Sequence, residues 1–254
     1  MRAIKNLIIQ GWNAIFRRNN STIEPNPAAR QTQPRVANTI PPQRVSAYQP
    51  ETDTLPPPPQ KKVQQKRKNM GRIILIAGHH GAGTGVNSFL DEGAENIRVR
   101  DDLTQKLIDL GVPKNEIITD KGRDNLVLRD IVAWLRNDII RINDICIDIH
   151  FNAATPAATG TETFVPNHPT ANEILLARDV NNAMVSSLGL RDRGVKWERE
   201  SHVGSLAMLS FDCTTILLEI CFVTNENDAK AYRNNYNSLI DNLGKAIINH
   251  YFEL

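Results

Sequence analysis

The distribution of proline and glycine along the 254-residue chain decides where a folded domain can form. Ten of the fourteen prolines lie between Pro25 and Pro59, and no glycine occurs in residues 12–70. A stretch in which proline is mixed with Gln, Thr, Arg and Lys cannot bury enough apolar surface to offset the entropy lost on ordering. We therefore expect residues 20–70 to be an extended, basic, proline-rich linker, and residues 71–254 to contain one folded domain.

The charge of the chain is divided at the same boundary. Residues 1–70 contain twelve Lys or Arg and three acids, a net charge of +9. The remaining residues contain eighteen basic and twenty-five acidic side chains, a net charge of −7. A basic arm attached to an acidic domain indicates a separate partner for the arm, such as an anionic membrane, nucleic acid or an acidic protein surface, unless the arm only adds solubility.

Residues 1–19 have apolar side chains at a spacing that would gather them on one face of a helix. These side chains are Ile4, Leu7, Ile8, Trp12, Ile15 and Phe16. The segment matches a secretory signal only weakly, because polar residues interrupt its apolar middle and no small-residue cleavage site follows. We predict a basic amphipathic docking helix, with a short disordered tail as the alternative. No segment of the sequence approaches the ~20 apolar residues of a membrane-spanning helix.

From residue 70 onward, the apolar pattern changes repeatedly between that of a strand and that of a helix. The predicted strands are residues 72–77, 116–119, 145–150, 161–165 and 214–223. The predicted helices include residues 103–110, 128–142, 175–188 and 239–251. Strands that alternate with helices favour a single α/β domain with a mostly parallel central sheet flanked by helices.

Polar residues occur at the ends of these strands, where open α/β sheets bind ligands. His79 follows the first strand, Asp148, His150 and Asn152 lie in or after the third, and Glu219 interrupts the last. A catalytic zinc takes three imidazole or carboxylate ligands and leaves one position for water. A buried Glu219 also requires a metal, a cation or a raised pKa. These residue types favour an α/β metallohydrolase, although a histidine taken singly is more often a loop or core residue.

Three segments carry these polar residues: residues 74–79 (ILIAGH), 148–153 (DIHFNA) and 218–225 (LEICFVTN). In the same order, they resemble the Gly-His strand, the Ser-Ile-His-x-Asn-Ala segment and the Glu-x-Gly-Phe-x-x-Asn segment of zinc-dependent N-acetylmuramoyl-L-alanine amidases of the amidase-3 type. The resemblance extends from about residue 72 to residue 251. It does not include the basic arm.

The resemblance implies that Zn²⁺ is bound by His79, an early glutamate and His150. The glutamate is either Glu92 or Glu95. We favour Glu92, because the family's acid usually stands eight residues before an Arg-Asp pair, which begins here at Arg100.

The same resemblance implies that Glu219 is the catalytic residue that accepts a proton from zinc-activated water, and that Asn152 and Arg129 bind the substrate. The implied reaction is hydrolysis of the amide bond between N-acetylmuramic acid and L-alanine in peptidoglycan. Three residues depart from the family. His80 replaces the usual glycine after the first histidine. Asp148 replaces a small hydroxyl residue and is predicted to hold a zinc ligand through a hydrogen bond, and Cys221 replaces the glycine of the Glu-x-Gly-Phe segment.

Two other functions fit the same sequence: a zinc peptidase that cuts within the stem peptide, and a non-catalytic wall-binding or structural virion module that keeps the fold. We expect the basic arm to dock to a protein assembly such as a virion, or to an anionic membrane, and we do not expect the catalytic domain to bind nucleic acid. Without a convincing signal peptide, the chain is predicted to be a phage lysin or virion-associated hydrolase that acts in the bacterial cell envelope. A cellular amidase anchored at the inner membrane is the alternative.

Overall fold

A computed structural model describes residues 71–79, 84–123 and 126–253. Within these residues, the strands are β1 (Ile73–Ala77), β2 (Ile117–Thr119), β3 (Ile145–Asn152), β4 (Thr161–Val165), β5 (Asp192–Trp197) and β6 (Thr214–Phe222). The α-helices are α1 (Glu92–Asp109), α2 (Leu128–Trp134), α3 (Ala171–Leu188) and α4 (Glu226–Glu253). The predicted docking helix at residues 1–19 and the predicted linker at residues 20–70 lie outside the described residues.

The six strands form one sheet in the order β2-β1-β3-β6-β4-β5. The first four are parallel to one another, β4 runs antiparallel to β6, and β5 is parallel to β4. The predicted mostly parallel α/β sheet is therefore confirmed. β5 was not predicted, because it is an edge strand of polar residues without an apolar run, and its side chains are only half-buried or exposed.

Alternate residues of each strand point to opposite faces of the sheet, and the two faces are covered differently. We call one the three-helix face, because α1, α3 and α4 pack on side chains such as Ile73, Ile147 and Leu218. We call the other the α2 face, where Ile131 of α2 packs against Ile74. A 3₁₀ turn at Ala207–Leu209 also packs there, as do the π-helical residues Leu135–Ile139 that continue α2.

Helix α1 begins at a defined residue beside the carboxyl edge of the sheet. Asp91 is its N-cap, and the Asp91 side chain accepts a hydrogen bond from the backbone N–H of Ala94 at 3.1 Å. Glu92 and Glu95 lie in the first turn, where the exposed N–H groups of a helix favour negative charge. Among the helices of the described residues, none is both long enough and apolar enough to cross a membrane.

Candidate metal centre

The carboxyl ends of β1, β3 and β6 lie side by side and bring distant parts of the chain together. Ala77 of β1 is in register with Ile149 of β3, so His79 emerges next to the end of β3. His150 of β3 is directly opposite Glu219 of β6. Three residues predicted from separate motifs therefore meet at this edge.

His79, Glu92 and His150 could hold a metal ion, because each offers a ligand atom and the three atoms lie within 4.8 Å of one another. Glu92 Oε1 is 3.8 Å from His79 Nε2 and 3.4 Å from His150 Nδ1. Glu95 instead accepts a hydrogen bond from the Tyr232 hydroxyl at 2.8 Å. The structure thus places Glu92, and not Glu95, beside the two histidines.

The Glu92 carboxylate is fixed by the backbone around it. Its Oε2 accepts the N–H of Val86 at 2.9 Å, its Oε1 accepts the N–H of Phe151 at 3.4 Å, and only 4% of the residue is exposed. Burial acts to raise the pKa of Glu92, but His150 and His79 outweigh it and hold that pKa below its usual value. The carboxylate is therefore ionised at neutral pH, as a metal ligand must be.

Two glycines allow these ligands to approach the backbone. A Cβ at Gly78 would lie 2.1 Å from His150 Nε2, so no side chain fits there. Gly85 has a φ of +75°, and a Cβ on it would lie 2.8 Å from Glu92 Oε2. The sequence signalled Gly78 through the Gly-His pair, whereas no motif indicated Gly85.

His79 has an unusual backbone conformation, with a φ of +49°. A non-glycine residue in this left-handed region is sparsely populated and needs support from its surroundings. Thr84 Oγ1 donates a 2.7 Å hydrogen bond to the His79 carbonyl, and the Asn96 side-chain amide donates to the Gly78 carbonyl. Sequence patterns did not identify these two supporting side chains, because their partners are backbone atoms of another segment.

His150 is half-buried, and its two ring nitrogens approach different carboxylates. Nδ1 faces Glu92, and Nε2 is 3.1 Å from Asp148 Oδ2. Burial acts to lower the pKa of His150, but Asp148, followed by Glu92 and Glu219, outweighs it and raises that pKa well above its usual range. Without a metal, the carboxylates around His150 therefore favour its protonated form.

Glu219 is half-buried on β6, opposite His150 on one side and Glu162 of β4 on the other. Its Oε2 is buried and has no hydrogen-bond partner among the described residues. Burial raises the pKa of Glu219 to about 8; His150 acts to lower it, and Glu92 and Glu162 raise it further. Glu219 can therefore hold or release a proton near neutral pH.

The neighbouring Glu162 is paired with cations from β5. It accepts hydrogen bonds from Arg193 Nε at 2.7 Å, from Lys196 Nζ, and from the Asn152 side-chain amide at 2.5 Å. Asn152 Oδ1 also accepts the backbone N–H of Ala153 at 2.9 Å. Both ends of the Asn152 amide are thus engaged, which fixes its orientation at the end of β3.

Arg129 lies in the first turn of α2. Its side chain is 85% exposed and forms an ion pair with Asp130 at 2.9 Å. It lines a surface groove together with Leu128 and Arg136. The guanidinium makes no hydrogen bond or ion pair with the candidate metal ligands within the described part of the chain.

The mostly parallel sheet, with a His-Glu-His group and a glutamate at its carboxyl edge, defines an α/β domain with a candidate catalytic metal centre. The family model Amidase_3, described as N-acetylmuramoyl-L-alanine amidase, matches residues 73–249. The chain belongs to this family.

Protein YqiI of Bacillus subtilis (strain 168), itself uncharacterized, is 33% identical over 162 residues, which are 63% of this chain and 74% of YqiI. The crystal structure of an N-acetylmuramoyl-L-alanine amidase from Clostridium difficile 630 is 25% identical, with a TM-score of 0.55 over 73% of this chain and 97% of that one. Cwp6 from Clostridium difficile shares the fold, with a TM-score of 0.60 and 20% identity over 71% of this chain and 29% of Cwp6.

Proposed function

We propose that this protein hydrolyses the amide bond between N-acetylmuramic acid and L-alanine in peptidoglycan, with Zn²⁺ held by His79, Glu92 and His150. Family membership supports the reaction, and the three ligand atoms within 4.8 Å of one another carry the metal assignment. Two imidazoles and one carboxylate are a ligand set of catalytic zinc sites. The chemistry that zinc supplies when bound is activation of water and polarisation of the scissile carbonyl.

In this proposal, Glu219 is the general base and acid. It accepts the proton of the attacking water and later donates a proton to the L-alanine amine as that group leaves. Its position directly across from His150 supports this role. The buried Oε2 atom without a hydrogen-bond partner among the described residues also supports it, because burial raises the pKa of Glu219 to about 8 and so lets it exchange a proton near neutral pH.

We assign substrate contacts to Arg129 and Asn152. The exposed guanidinium of Arg129 lies at the start of α2, which follows β2 and so begins at the carboxyl edge of the sheet. Carboxylates of the stem peptide are suitable partners for it. Asn152 ends β3 two residues after His150, and Glu162 holds its amide in one orientation.

The decisive experiment is digestion of purified peptidoglycan, with and without a zinc chelator, followed by mass spectrometry of the products. We expect release of intact stem peptides with free L-alanine amino termini, and no release in the presence of chelator. His79→Ala should abolish release, whereas His168→Ala, at an exposed histidine outside the site, should not. Cleavage within the stem peptide would indicate a zinc peptidase, and no cleavage by folded, zinc-loaded protein would indicate a non-catalytic wall-binding module.

We further propose that the protein acts in the bacterial cell envelope as a phage lysin or virion-associated hydrolase, and that the basic arm docks it to a virion or an anionic membrane. The net charge of +9 in residues 1–70, against −7 in the rest of the chain, supports a separate partner for the arm. Quantitative mass spectrometry of purified virions and of host membranes tests this setting. Detection in host membranes alone would support a membrane-anchored cellular amidase.

A further inference from the structure

The two carboxylates around His150 have different surroundings. Glu92 is shared with His79 and belongs to the candidate metal ligands. Asp148 contacts the opposite side of the His150 ring from Glu92: Asp148 Oδ2 lies 3.1 Å from His150 Nε2. The ring is thus oriented so that Nδ1, and not Nε2, faces the other ligands.

Asp148 lies at a buried position, where a carboxylate lowers the stability of the fold. It is 3% exposed, and it lies in the middle of the sheet between Ile76 of β1 and Leu217 of β6. Its second oxygen, Oδ1, is buried without a hydrogen-bond partner among the described residues. A buried carboxylate with one unpaired oxygen lowers stability, so its interaction with His150 needs a compensating function.

The ring cannot easily turn away from Asp148. Gly78 of the neighbouring segment packs so closely against the Nε2 edge of His150 that a Cβ there would lie 2.1 Å from Nε2. Backbone on one side and Asp148 on the other therefore hold the same edge of the ring.

We propose that Asp148 is a positioning residue for metal binding by His150. By accepting the Nε2–H, Asp148 fixes the tautomer in which Nδ1 carries a free lone pair, and it makes the imidazole a stronger donor to zinc. This role depends on the proposed function, because it requires that zinc binds to His79, Glu92 and His150.

Zinc affinity tests this role directly. The dissociation constant of zinc is measured by competition with a chromogenic chelator for the full-length wild type, Asp148→Asn and Asp148→Ser. We expect zinc to bind about 10–100-fold more weakly to both variants, the usual effect of removing a hydrogen-bonding partner of a metal ligand. Asp130→Asn is the control, because Asp130 is at the surface on α2 and pairs with Arg129. Circular dichroism of the metal-free proteins verifies the fold. If one Asp148 variant does not fold, the zinc affinity of the other variant tests the role of Asp148.

A spectroscopic readout separates positioning from a general structural role. In ¹⁵N-histidine NMR of the zinc-loaded wild type, we expect His150 to be protonated at Nε2. Protonation at Nδ1, or wild-type zinc affinity in both Asp148 variants, would overturn the assignment of Asp148 while leaving the proposed function intact. Failure of the wild type itself to bind one zinc would overturn both.

Discussion

The two faces of the sheet are built from alternate residues of the same strands, yet they use those residues differently. On the three-helix face, β3 is apolar along its whole length, with Ile145, Ile147, Ile149 and Phe151. On the α2 face, β3 begins with the apolar Cys146 and continues with Asp148 and His150. A two-residue period therefore lets one strand provide packing on one face and chemistry on the other. This comparison predicts that substitutions on the first face change stability, and that polar substitutions at the carboxyl edge of the second change activity.

The largest effect is expected for Glu219→Gln on the α2 face. The change keeps the size of the side chain and removes the base, so turnover of peptidoglycan should fall by about 10²–10⁴-fold while zinc affinity is kept. Steady-state kinetics and zinc titration measure the two quantities. Glu226→Gln, which changes an exposed acid in the first turn of α4, is the control and should remain fully active. Full activity in Glu219→Gln would remove Glu219 from the mechanism.

On the three-helix face, Leu103→Ala in α1 should lower the free energy of unfolding by about 2–5 kcal/mol, because Leu103 is fully buried and the substitution leaves a cavity. Urea denaturation measures the loss. Leu128→Ala in α2 is the matched control: Leu128 is 57% exposed, and we expect a change within about 0.5 kcal/mol. Zinc affinity per folded molecule should be the same in both variants. A loss of zinc affinity in Leu103→Ala alone would show that packing on the three-helix face also determines metal binding.

Some elements of the fold could be predicted from the sequence, and others could not. β1 and β6 were predicted from their apolar runs, because central strands of a parallel sheet are buried on both faces. β3 was predicted from the strict alternation of its isoleucines with Cys146, Asp148 and His150. The apolar run around Cys221 predicts a small core residue, and Cys221 packs in the apolar cluster of the three-helix face. β5 was not predicted because it has no apolar run, and the reversal of β4 was not predicted because strand direction depends on which strands become neighbours.

The candidate site shows the same limit. Its ligands follow from residue types and motifs, and the spacing to Arg100 favoured Glu92. The side chains that hold the site in place could not be predicted in this way. Thr84 and Asn96 act through hydrogen bonds to backbone carbonyls, and Lys196 contacts Glu162, which is 34 residues away in the chain. Such contacts exist only after folding, and no local pattern records them.

Gly78→Ala tests how closely the backbone at the end of β1 packs against the His150 ring. The new Cβ would displace the His150 ring, so we expect a loss of about 1–3 kcal/mol in stability together with weaker zinc binding. Gly111→Ala is the control for stability alone, because Gly111 has a φ of +97° but open space around its Cβ position. Thermal denaturation and zinc titration distinguish the two variants. Unchanged zinc affinity in Gly78→Ala would show that the ring has more room than the structure indicates.

The smallest effect is expected in the pH dependence of the metal-free protein. Folding raises the pKa of Glu219 from an ordinary 4.5 to about 8, so the folded state binds more protons than the unfolded state between these values. The contribution of Glu219 to stability is fully present below pH 4.5 and is lost as pH rises through 8. Because the side chain is only half-buried, we expect a fall on the order of 1–2 kcal/mol relative to Glu219→Gln. Denaturation of both proteins across this pH range, with chelator present, measures the difference, and parallel curves would contradict the raised pKa of Glu219.

The position of β6 in the sheet has a consequence for synthesis of the protein on the ribosome. β6 is the last strand in the described chain, yet it lies between β3 and β4. Until residues 214–222 are made, β3 has an unpaired edge and β4 has no link through the sheet to β1. The strand that closes this gap also delivers Glu219. A nascent chain therefore gains its proposed catalytic base in the same step that joins the two parts of its sheet, so incomplete chains lack the residue to which the proposed mechanism assigns proton transfer.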